Sequence, residues 1–177
     1  LLGANQGSIE YVAVPGGADA SLRCDLLLSL GAAQVRAGRY PAARETHLEA
    51  VDLARRLGVA EQLAQAALGY GEPYVEGGLV NRQLVGLLRE ALEQMPPEDS
   101  PLRARRLARL SVELTFSDEV HLTDGLSRQA VEMARRLGED CSLGAALDAR
   151  WMAVWGPDGL PERTELAGEI LQVVGTT

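Results

Sequence analysis

One nine-residue peptide occurs twice in this chain, eighty positions apart. Residues 50–58 read AVDLARRLG and residues 130–138 read AVEMARRLG, with seven of nine letters identical. The two differences keep charge and bulk: Asp52 corresponds to Glu132, and Leu53 to Met133. Self-similarity at a long spacing indicates a repeat architecture, in which each unit buries its apolar face by stacking on its neighbours. The peptide therefore predicts a repeating structural unit and not a duplicated active site.

The first copy of the peptide ends a predicted helical hairpin. A turn at Gly38 and Tyr40 follows the first helix, and Pro41 suits the first turn of the second helix because its missing N–H would be unpaired there. We expect Gly58 to cap the end of this second helix in the left-handed conformation. One face of the helix carries four residues at helical spacing: Ala43, His47, Ala50 and Ala54.

Weaker copies of the hairpin recur in phase and predict four units, residues 20–58, 59–97, 98–138 and 139–175. One alanine marks the same position in each second helix: Ala50, Ala91, Ala130 and Ala167, which are 41, 39 and 37 residues apart. The predicted fold is an all-α solenoid of about four helix pairs covering residues 20–177. Residues 1–19 fit no unit and are predicted to be an N-terminal arm or the remnant of a preceding repeat. Since the chain starts without Met and stops just after a helical pattern, we expect it to be a piece of a longer protein.

Composition favours packed helices and excludes several classes of function. Aromatic residues make up only 4% of the chain, which suits helices better than a sheet. The net charge of −8 argues against a nucleic-acid or anionic membrane surface, and no stretch approaches the ~18 apolar residues of a membrane span. All 17 basic residues are Arg, so a phosphate-binding loop that needs Lys is excluded. With only Cys24 and Cys141, we expect a reduced, cytoplasmic protein without a disulfide framework.

The first hairpin resembles the tetratricopeptide repeat, a helix pair of about 34 residues. Six residues stand at the spacing of its consensus: Leu30, Gly31, Gly38, Tyr40, Ala43 and Ala50. The unit length near 40 residues and the ARRLG endings indicate a more specific resemblance, which covers residues 21–175. They are similar to the helical-repeat region of large ATP-binding transcriptional regulators of the LuxR type, the class that includes the maltose-regulon activator.

This resemblance implies a non-catalytic interaction and sensor domain that binds a small-molecule inducer or a protein segment and relays its state. In such regulators ATP and DNA are bound by other domains, which these residues do not include. The alternative on the same fold is a stand-alone adaptor that binds peptides in the groove of its first helices. An upstream phosphate-binding loop and a downstream helix-turn-helix in the full-length reading frame would favour the regulator, and a short frame would favour the adaptor.

No constellation of residues predicts an enzyme, a cofactor or a metal site. His47 and His121 lie far apart without acidic ligands at suitable spacing, so we interpret both as packing or surface residues. Ser117 and Asp118 fall near His121 at a predicted turn, where Ser and Asp cap helices. The chain is therefore predicted to have no catalytic residue.

The first helix of each tetratricopeptide pair lines the concave face, which implies a ligand groove here. The groove is predicted to carry these residues: Tyr70, Tyr74, Arg105, Arg109, Phe116, Trp151 and Trp155. The basic run RARRLAR, residues 103–109, is interpreted as a solvated, ion-paired surface or as a docking site for an acidic ligand. The tryptophans, one helical turn apart, either fill the core between repeats or form a ligand platform.

Overall fold

The computed structural model describes residues 17–71 and 78–175 of the chain. Within these residues the protein has eight α-helices and two short 3-10 turns, Val120–Leu122 and Pro157–Gly159, and no strand. The predicted all-α fold of four helix pairs is confirmed. The helices are α1 Gly17–Arg36, α2 Tyr40–Leu57, α3 Ala60–Tyr70, α4 Arg82–Gln94, α5 Pro101–Glu113, α6 Thr123–Leu137, α7 Asp140–Ala153 and α8 Leu160–Gly175.

Both copies of the repeated peptide end a second helix in the same way. Gly58 follows α2 with φ of 68° and donates its N–H to the carbonyls of Ala54 and Arg55. Gly138 follows α6 with φ of 65° and donates to Ala134. Glycine is favoured at both positions because a left-handed backbone strains residues that carry a Cβ. The predicted helix cap is confirmed at Gly58, and Gly138 repeats it.

The helices pack in a regular order along the chain. Each first helix contacts its own second helix, and each second helix contacts the first helix of the next pair. The first helices also contact one another in sequence, α1 with α3, α3 with α5, and α5 with α7. The first helices therefore form one layer, and the second helices pack along it. Among the described helices, none is both long enough and apolar enough to cross a membrane.

The buried apolar side chains form two clusters. One joins α1 to α4 and also includes Leu110 and Leu114 at the end of α5, and the other joins α5 to α8. We call α1–α4 the N-terminal block and α5–α8 the C-terminal block. Each block contains two of the predicted units, so the distance between the two copies of the peptide is the length of one block.

The same ion pair joins the two second helices of each block. In the N-terminal block Arg55 of α2 donates from Nε to Glu90 Oε1 at 2.8 Å and from Nη2 to the other carboxylate oxygen. In the C-terminal block Arg135 of α6 makes the same two bonds to Glu169 of α8, with Nη2 to Oε2 at 2.7 Å. Each arginine belongs to a copy of the repeated peptide, so the repetition preserves a contact as well as a helix end.

A second shared contact joins the two first helices of each block. Gln62 of α3 donates from Nε2 to the backbone oxygen of Ser21 in α1 at 3.1 Å. Ser142 of α7 donates from Oγ to the backbone oxygen of Pro101 in α5 at 3.2 Å. Both donors lie in the first turns of their helices, and both acceptor carbonyls lie near the start of the preceding first helix. The two blocks therefore share a backbone register with an offset of 80 residues in these helices.

The marker alanines are correct in three units and wrong in the fourth. Ala50, Ala91 and Ala130 are fully buried. Ala167 is exposed, and the ion pairs place Ile170 at the marker position, because Ile170 follows Glu169 as Ala91 follows Glu90. Ala167 is predicted because it is an alanine like the other three markers. In the structure α8 instead turns Leu166 and Ile170 towards the C-terminal cluster. Of the predicted arm at residues 1–19, residues 17–19 form the first turn of α1 and the rest lie outside the described residues.

Candidate functional site

The two blocks meet at a junction that is built differently from their interiors. Five residues after Ala91, the position of Arg55 is taken by Pro96, so α4 has no arginine at the end where α2 and α6 have one. The polar contacts across the junction instead include an ion pair of 2.6 Å between Arg89 and Glu119, and a bond of 3.2 Å from Arg103 Nη1 to the backbone oxygen of Leu92. The junction is the place where the repeat changes its chemistry.

The first junction groove, which we call the Arg105 groove, has a volume of about 510 Å³. It lies between the first half of α3, the connection from α4 to α5, and the first turns of α5. Ser100 caps α5 by accepting the N–H of Arg103 at 3.2 Å, and the first turn of α5 has no acidic residue. The lining residues are Ala60, Glu61, Gln65, Met95, Pro96, Glu98, Asp99, Ser100, Pro101, Leu102 and Arg105.

A buried arginine lies behind the wall of the Arg105 groove. Arg106 is fully buried, and its Nη1 contacts Met95 Sδ and the backbone oxygen of Leu102, both of which line the groove. Its Nε and Nη2 have no hydrogen-bond partner among the described residues. The Nε atoms of Arg103 and Arg105 are also buried without a partner there. Three neighbouring guanidinium groups thus have donors that no described residue accepts.

Burial, together with the positive charges of Arg105 and Arg103, lowers the pKa of Arg106 to about 9. Arg106 therefore remains charged at neutral pH. An isolated buried charge is costly because it loses its hydration without gaining a counter-ion. The sequence predicts Arg106 only as part of a basic surface run, and not as a buried residue. A signal was present, since Arg106 lies four residues from Leu102 and from Leu110, on the apolar stripe of α5.

The second junction groove, which we call the Phe116 groove, has a volume of about 410 Å³. It lies between the first half of α4 and the connection from α5 to α6, and the ion pair of Arg89 with Glu119 crosses it. The Phe116 side chain is 46% exposed here. Its lining residues are Val80, Arg82, Val85, Gly86, Arg89, Leu114, Phe116, Ser117, Asp118 and Glu119.

The residues predicted for one concave groove lie in several places. Arg105 and Phe116 line the two junction grooves. Arg109 is half-buried on α5 and pairs with Glu113 at 2.7 Å. Tyr70 is buried, so its expected exposure is wrong: its hydroxyl bonds Gln83 at 2.8 Å inside the N-terminal block. Tyr74 lies outside the described residues.

The two tryptophans form a separate cluster at the end of α7. The rings of Trp151 and Trp155 meet edge to face with centroids 5.2 Å apart. The guanidinium of Arg163 from α8 lies 4.2 Å from the Trp151 ring centroid and 4.4 Å from that of Trp155. Trp155 is 60% exposed. The pair is therefore a partly exposed cation–π cluster between two helices, and it lines neither junction groove.

His47 is a buried packing residue. Its ring lies between Gly31 of α1 and Gly69 of α3, where a Cβ on either glycine would overlap the ring. Both ring nitrogens lack a hydrogen-bond partner among the described residues, and burial lowers the pKa of His47. Among the residues that the structure describes, no group of three His, Cys, Asp or Glu side chains could hold a metal ion. The two glycines of the repeat pattern therefore make room for this imidazole.

Sequence reasoning also missed Arg150, which organises the C-terminal block. This buried side chain donates to Glu162 Oε1 at 2.6 Å and to Asp124 Oδ1 at 2.6 Å, and so ties α7 to α8 and α6. Hydrogen bonds from Arg128 and Arg150 lower the pKa of Asp124, and a bond from Arg150 lowers the pKa of Glu162. Arg150 is thus fully paired, in contrast to Arg106.

Comparison with known families, characterised proteins and solved structures gives no match to this chain. Two grooves flank the junction, and the buried guanidinium beside one of them lacks a counter-ion among the described residues. These features make the junction the candidate site.

Proposed function

We propose that this chain is a non-catalytic helical-repeat domain that binds a small organic anion in the Arg105 groove and relays the bound state through the junction of its two blocks. The observation that carries this proposal is the buried, unpaired guanidinium of Arg106 behind Met95. A carboxylate can accept two parallel hydrogen bonds from a guanidinium, and this pairing is strongest where water is excluded.

In this proposal the ligand reaches Arg106 by displacing one flexible side chain. Met95 covers Nη1, and methionine has three rotatable bonds and adapts to irregular space. Once Met95 rotates, an anion in the groove meets the donors of Arg106 near the capped start of α5, whose helix dipole also favours negative charge. Met95 therefore acts as the cover of the site in this proposal.

The lining of the groove favours a small ligand with an organic body. Its volume falls in the range of small-molecule sites, and Met95, Pro96 and Leu102 offer apolar contact. Glu61 and Glu98 are exposed at the same groove and would repel a polyanion such as a nucleic acid. The expected ligand is thus a compact organic acid with one anionic group directed at α5.

The position of the site supports a relay. The start of α5 and the connection from α4 both line the groove, while the end of α5 packs into the N-terminal cluster. A ligand that draws α5 and the connection together has different affinity for different arrangements of the blocks, which is the requirement for shifting between them. From the resemblance described above, we propose a bacterial cytoplasmic transcriptional regulator of the LuxR type as the parent protein, with ATP and DNA bound by its other domains.

The test uses benzoate, a monocarboxylate with an apolar body, as the probe and Arg106→Met as the variant. The melting temperature of the wild-type chain should rise with benzoate against chloride at matched ionic strength, because a ligand that binds the folded state stabilises it. Arg106→Met should melt higher than wild type without benzoate, since an apolar side chain replaces a buried charge, and should not respond to benzoate. Arg36→Met, which removes an exposed arginine of the other block, should respond like wild type. An unchanged benzoate response in Arg106→Met, or no wild-type response to benzoate or acetate, would refute the site.

The exposed ring of Phe116 favours a second candidate function, a peptide-binding adaptor. An aromatic side chain in a groove with charged walls is a common anchor for a peptide segment. A peptide library displayed on phage should yield a consensus sequence on the wild-type chain and lose its binding to Phe116→Ala. Selection of the same consensus by Phe116→Ala would exclude this groove.

A further inference from the structure

Helix α8 has an exposed apolar stripe beside the face that it packs into the C-terminal cluster. Leu171 is 73% exposed and Val174 is 64% exposed, and Ala167 lies on the same face at helical spacing. The adjacent face of α8, about 100° round the helix, packs Leu166 and Ile170 into the C-terminal cluster. The stripe therefore extends the apolar surface of α8 beyond the part that packs into the C-terminal cluster.

The shared ion pairs identify what this stripe corresponds to. Since Glu169 is equivalent to Glu90, α8 aligns with α4 at an offset of 79 residues. The stripe residues Ala167, Leu171 and Val174 then correspond to Leu88, Leu92 and Met95, in this order. In α4 these residues face α5: Leu88 is in one cluster with Leu110, Leu92 packs against both clusters, and Met95 contacts Arg106. The α8 stripe thus repeats the face with which α4 holds the next helix.

Helix α1 carries the complementary half of this interface. Leu22, Leu26 and Leu30 are all exposed on one face of α1. At the offset of 80 residues they correspond to three residues of α5: Leu102, Arg106 and Leu110. In α5 these are the residues that meet α4, so α1 repeats the face with which α5 docks, with leucine in place of the buried arginine.

We propose that the α8 stripe of one copy of this chain packs against the α1 stripe of a second copy, head to tail. The new contact reproduces the α4–α5 junction, with Leu26 of one copy meeting Val174 of the other where Arg106 meets Met95 within the chain. A polar contact is also reproduced, because Arg23 corresponds to Arg103. One nitrogen of Arg23 pairs with Glu49 within the chain, and its other guanidinium nitrogens can donate to the backbone oxygen of Leu171 as Arg103 donates to Leu92. The occupant is a second copy because the chain itself supplies both halves of the interface.

The geometry of this contact determines the kind of assembly. The two faces lie on different helices at opposite ends of the repeat order, so the interface is heterologous. Heterologous contacts that do not close into a ring continue into open chains. The expected product is a series of oligomers that lengthens with protein concentration, and not a closed dimer.

The test blocks each face separately. Leu171→Glu places a charge in the α8 stripe, and Leu26→Glu places one in the α1 stripe. Because both residues are exposed, the variants should keep their fold, which circular dichroism checks. In light scattering coupled to size-exclusion chromatography, wild type should lengthen with concentration and each variant alone should be monomeric. An equimolar mixture of the two variants should form a dimer, because each retains one intact face. Leu79→Glu, at an exposed leucine outside both stripes, should assemble like wild type.

Four results would overturn the proposal. They are a wild-type chain that stays monomeric at high concentration, variants that still assemble alone, a mixture of variants that remains monomeric, and a wild-type dimer that does not lengthen. None of these outcomes depends on the Arg105 groove, so the result is independent of the proposed ligand.

Discussion

The two blocks place different side chains at matching positions where three helices meet. In the N-terminal block the buried Tyr70 of α3 donates its hydroxyl to Gln83 of α4, and the guanidinium of Arg44 from α2 lies 5.2 Å from the centre of its ring. At the matching positions of the C-terminal block Arg150 of α7 bonds Glu162 of α8 and Asp124 of α6. The same three helices are thus joined by a neutral hydrogen bond and a cation–π contact in one block, and by ion pairs in the other.

At three neighbouring positions, the matching side chains of the two blocks differ in size. The N-terminal block has Gly31 of α1, His47 of α2 and Gly69 of α3. The C-terminal block has Ser111, Ser127 and Ala149 at the matching positions, and all three are buried. The large ring with two glycines in one block is replaced by three small residues in the other. Arg150 bonds Ser127 at 3.3 Å and so enters the region next to the smaller side chain.

These differences show which part of the repeat is constrained. The bonds that set the backbone register recur, namely the arginine–glutamate pairs and the bonds to Ser21 and Pro101. The side chains between the helices change together, so that the volume and the polar groups stay compatible. The interior of each block is therefore specific to that block, although their backbones correspond.

The largest expected effect comes from placing in the N-terminal block the residue that the C-terminal block has at the matching position, alanine in place of Gly69. Gly69→Ala should lower the free energy of unfolding by about 3 kcal/mol, because its Cβ overlaps the buried ring of His47. In a His47→Ser background, which copies Ser127, the same substitution should cost nothing. Gly86→Ala on α4, where nothing lies near the added carbon, should stabilise by about 0.5 kcal/mol. Urea unfolding of the four variants checks this, and an equal loss in both backgrounds would show that the ring does not cause it.

The next effect compares the two three-helix contacts directly. Arg150→Met should cost about 2 kcal/mol, because it removes charge-assisted hydrogen bonds to carboxylates that are themselves partly exposed. Tyr70→Phe should cost about 1 kcal/mol, since it removes one neutral bond to Gln83. Chemical denaturation at two salt concentrations measures both. If the loss for Tyr70→Phe equals or exceeds that for Arg150→Met, the ionic contact is not the stronger of the two.

A smaller effect is the order in which acid destabilises the blocks. Burial lowers the pKa of His47 below its ordinary 6.5, so below that pH the unfolded chain binds a proton that the folded chain excludes, and stability is lost as the pH falls. Arginine hydrogen bonds lower the pKa values of Asp124 and Glu162, whose stabilisation is lost only as the pH falls below their ordinary 3.8 and 4.5. The N-terminal block should therefore loosen first.

Hydrogen exchange between pH 7 and pH 4.5 measures this order through peptides of α2 and α6. His47→Phe keeps an aromatic ring without a titrating group and should remove the early loss in α2. His121→Gln, at the exposed histidine, should change nothing. Earlier loss of protection in α6 than in α2 would reverse the predicted order.

The smallest effect tests the feature that the blocks share. Arg55→Gln and Arg135→Gln each break one of the matching ion pairs, and both pairs are partly exposed. Arg55→Gln also removes a longer contact of 3.5 Å with Asp52, which is exposed and contributes little. Each substitution should cost about 0.5 kcal/mol and the two values should agree. Parallel thermal melts give the comparison, and a clear difference between them would mean that the pairs are not equivalent.

The sequence predicted the elements whose signals are local. The repeated peptide predicted the helix ends at Gly58 and Gly138, and it placed the marker alanines Ala50 and Ala130, which are fully buried. The order of helix pairs followed from the spacing of these marks. Such features depend on residues a few positions apart, so one chain is sufficient to read them.

The site could not be predicted in the same way because it depends on contacts between distant helices. The sequence predicts Arg105 and Phe116 in one groove, yet they line different grooves, and their separation depends on how α5 crosses the junction. Arg106 was counted within a basic surface run, although its burial follows from packing against Met95. Similarly, Arg163 joins the tryptophans from another helix.

Native-state hydrogen exchange at increasing urea tests the division into two blocks most directly. Amides of α2 and α3 should open together, amides of α6 and α7 should open together, and the two groups should have different free energies of opening, because each block has its own apolar cluster and its own ion pair. A single free energy of opening shared by all four helices would contradict the division, and with it the view of the junction as a separate site.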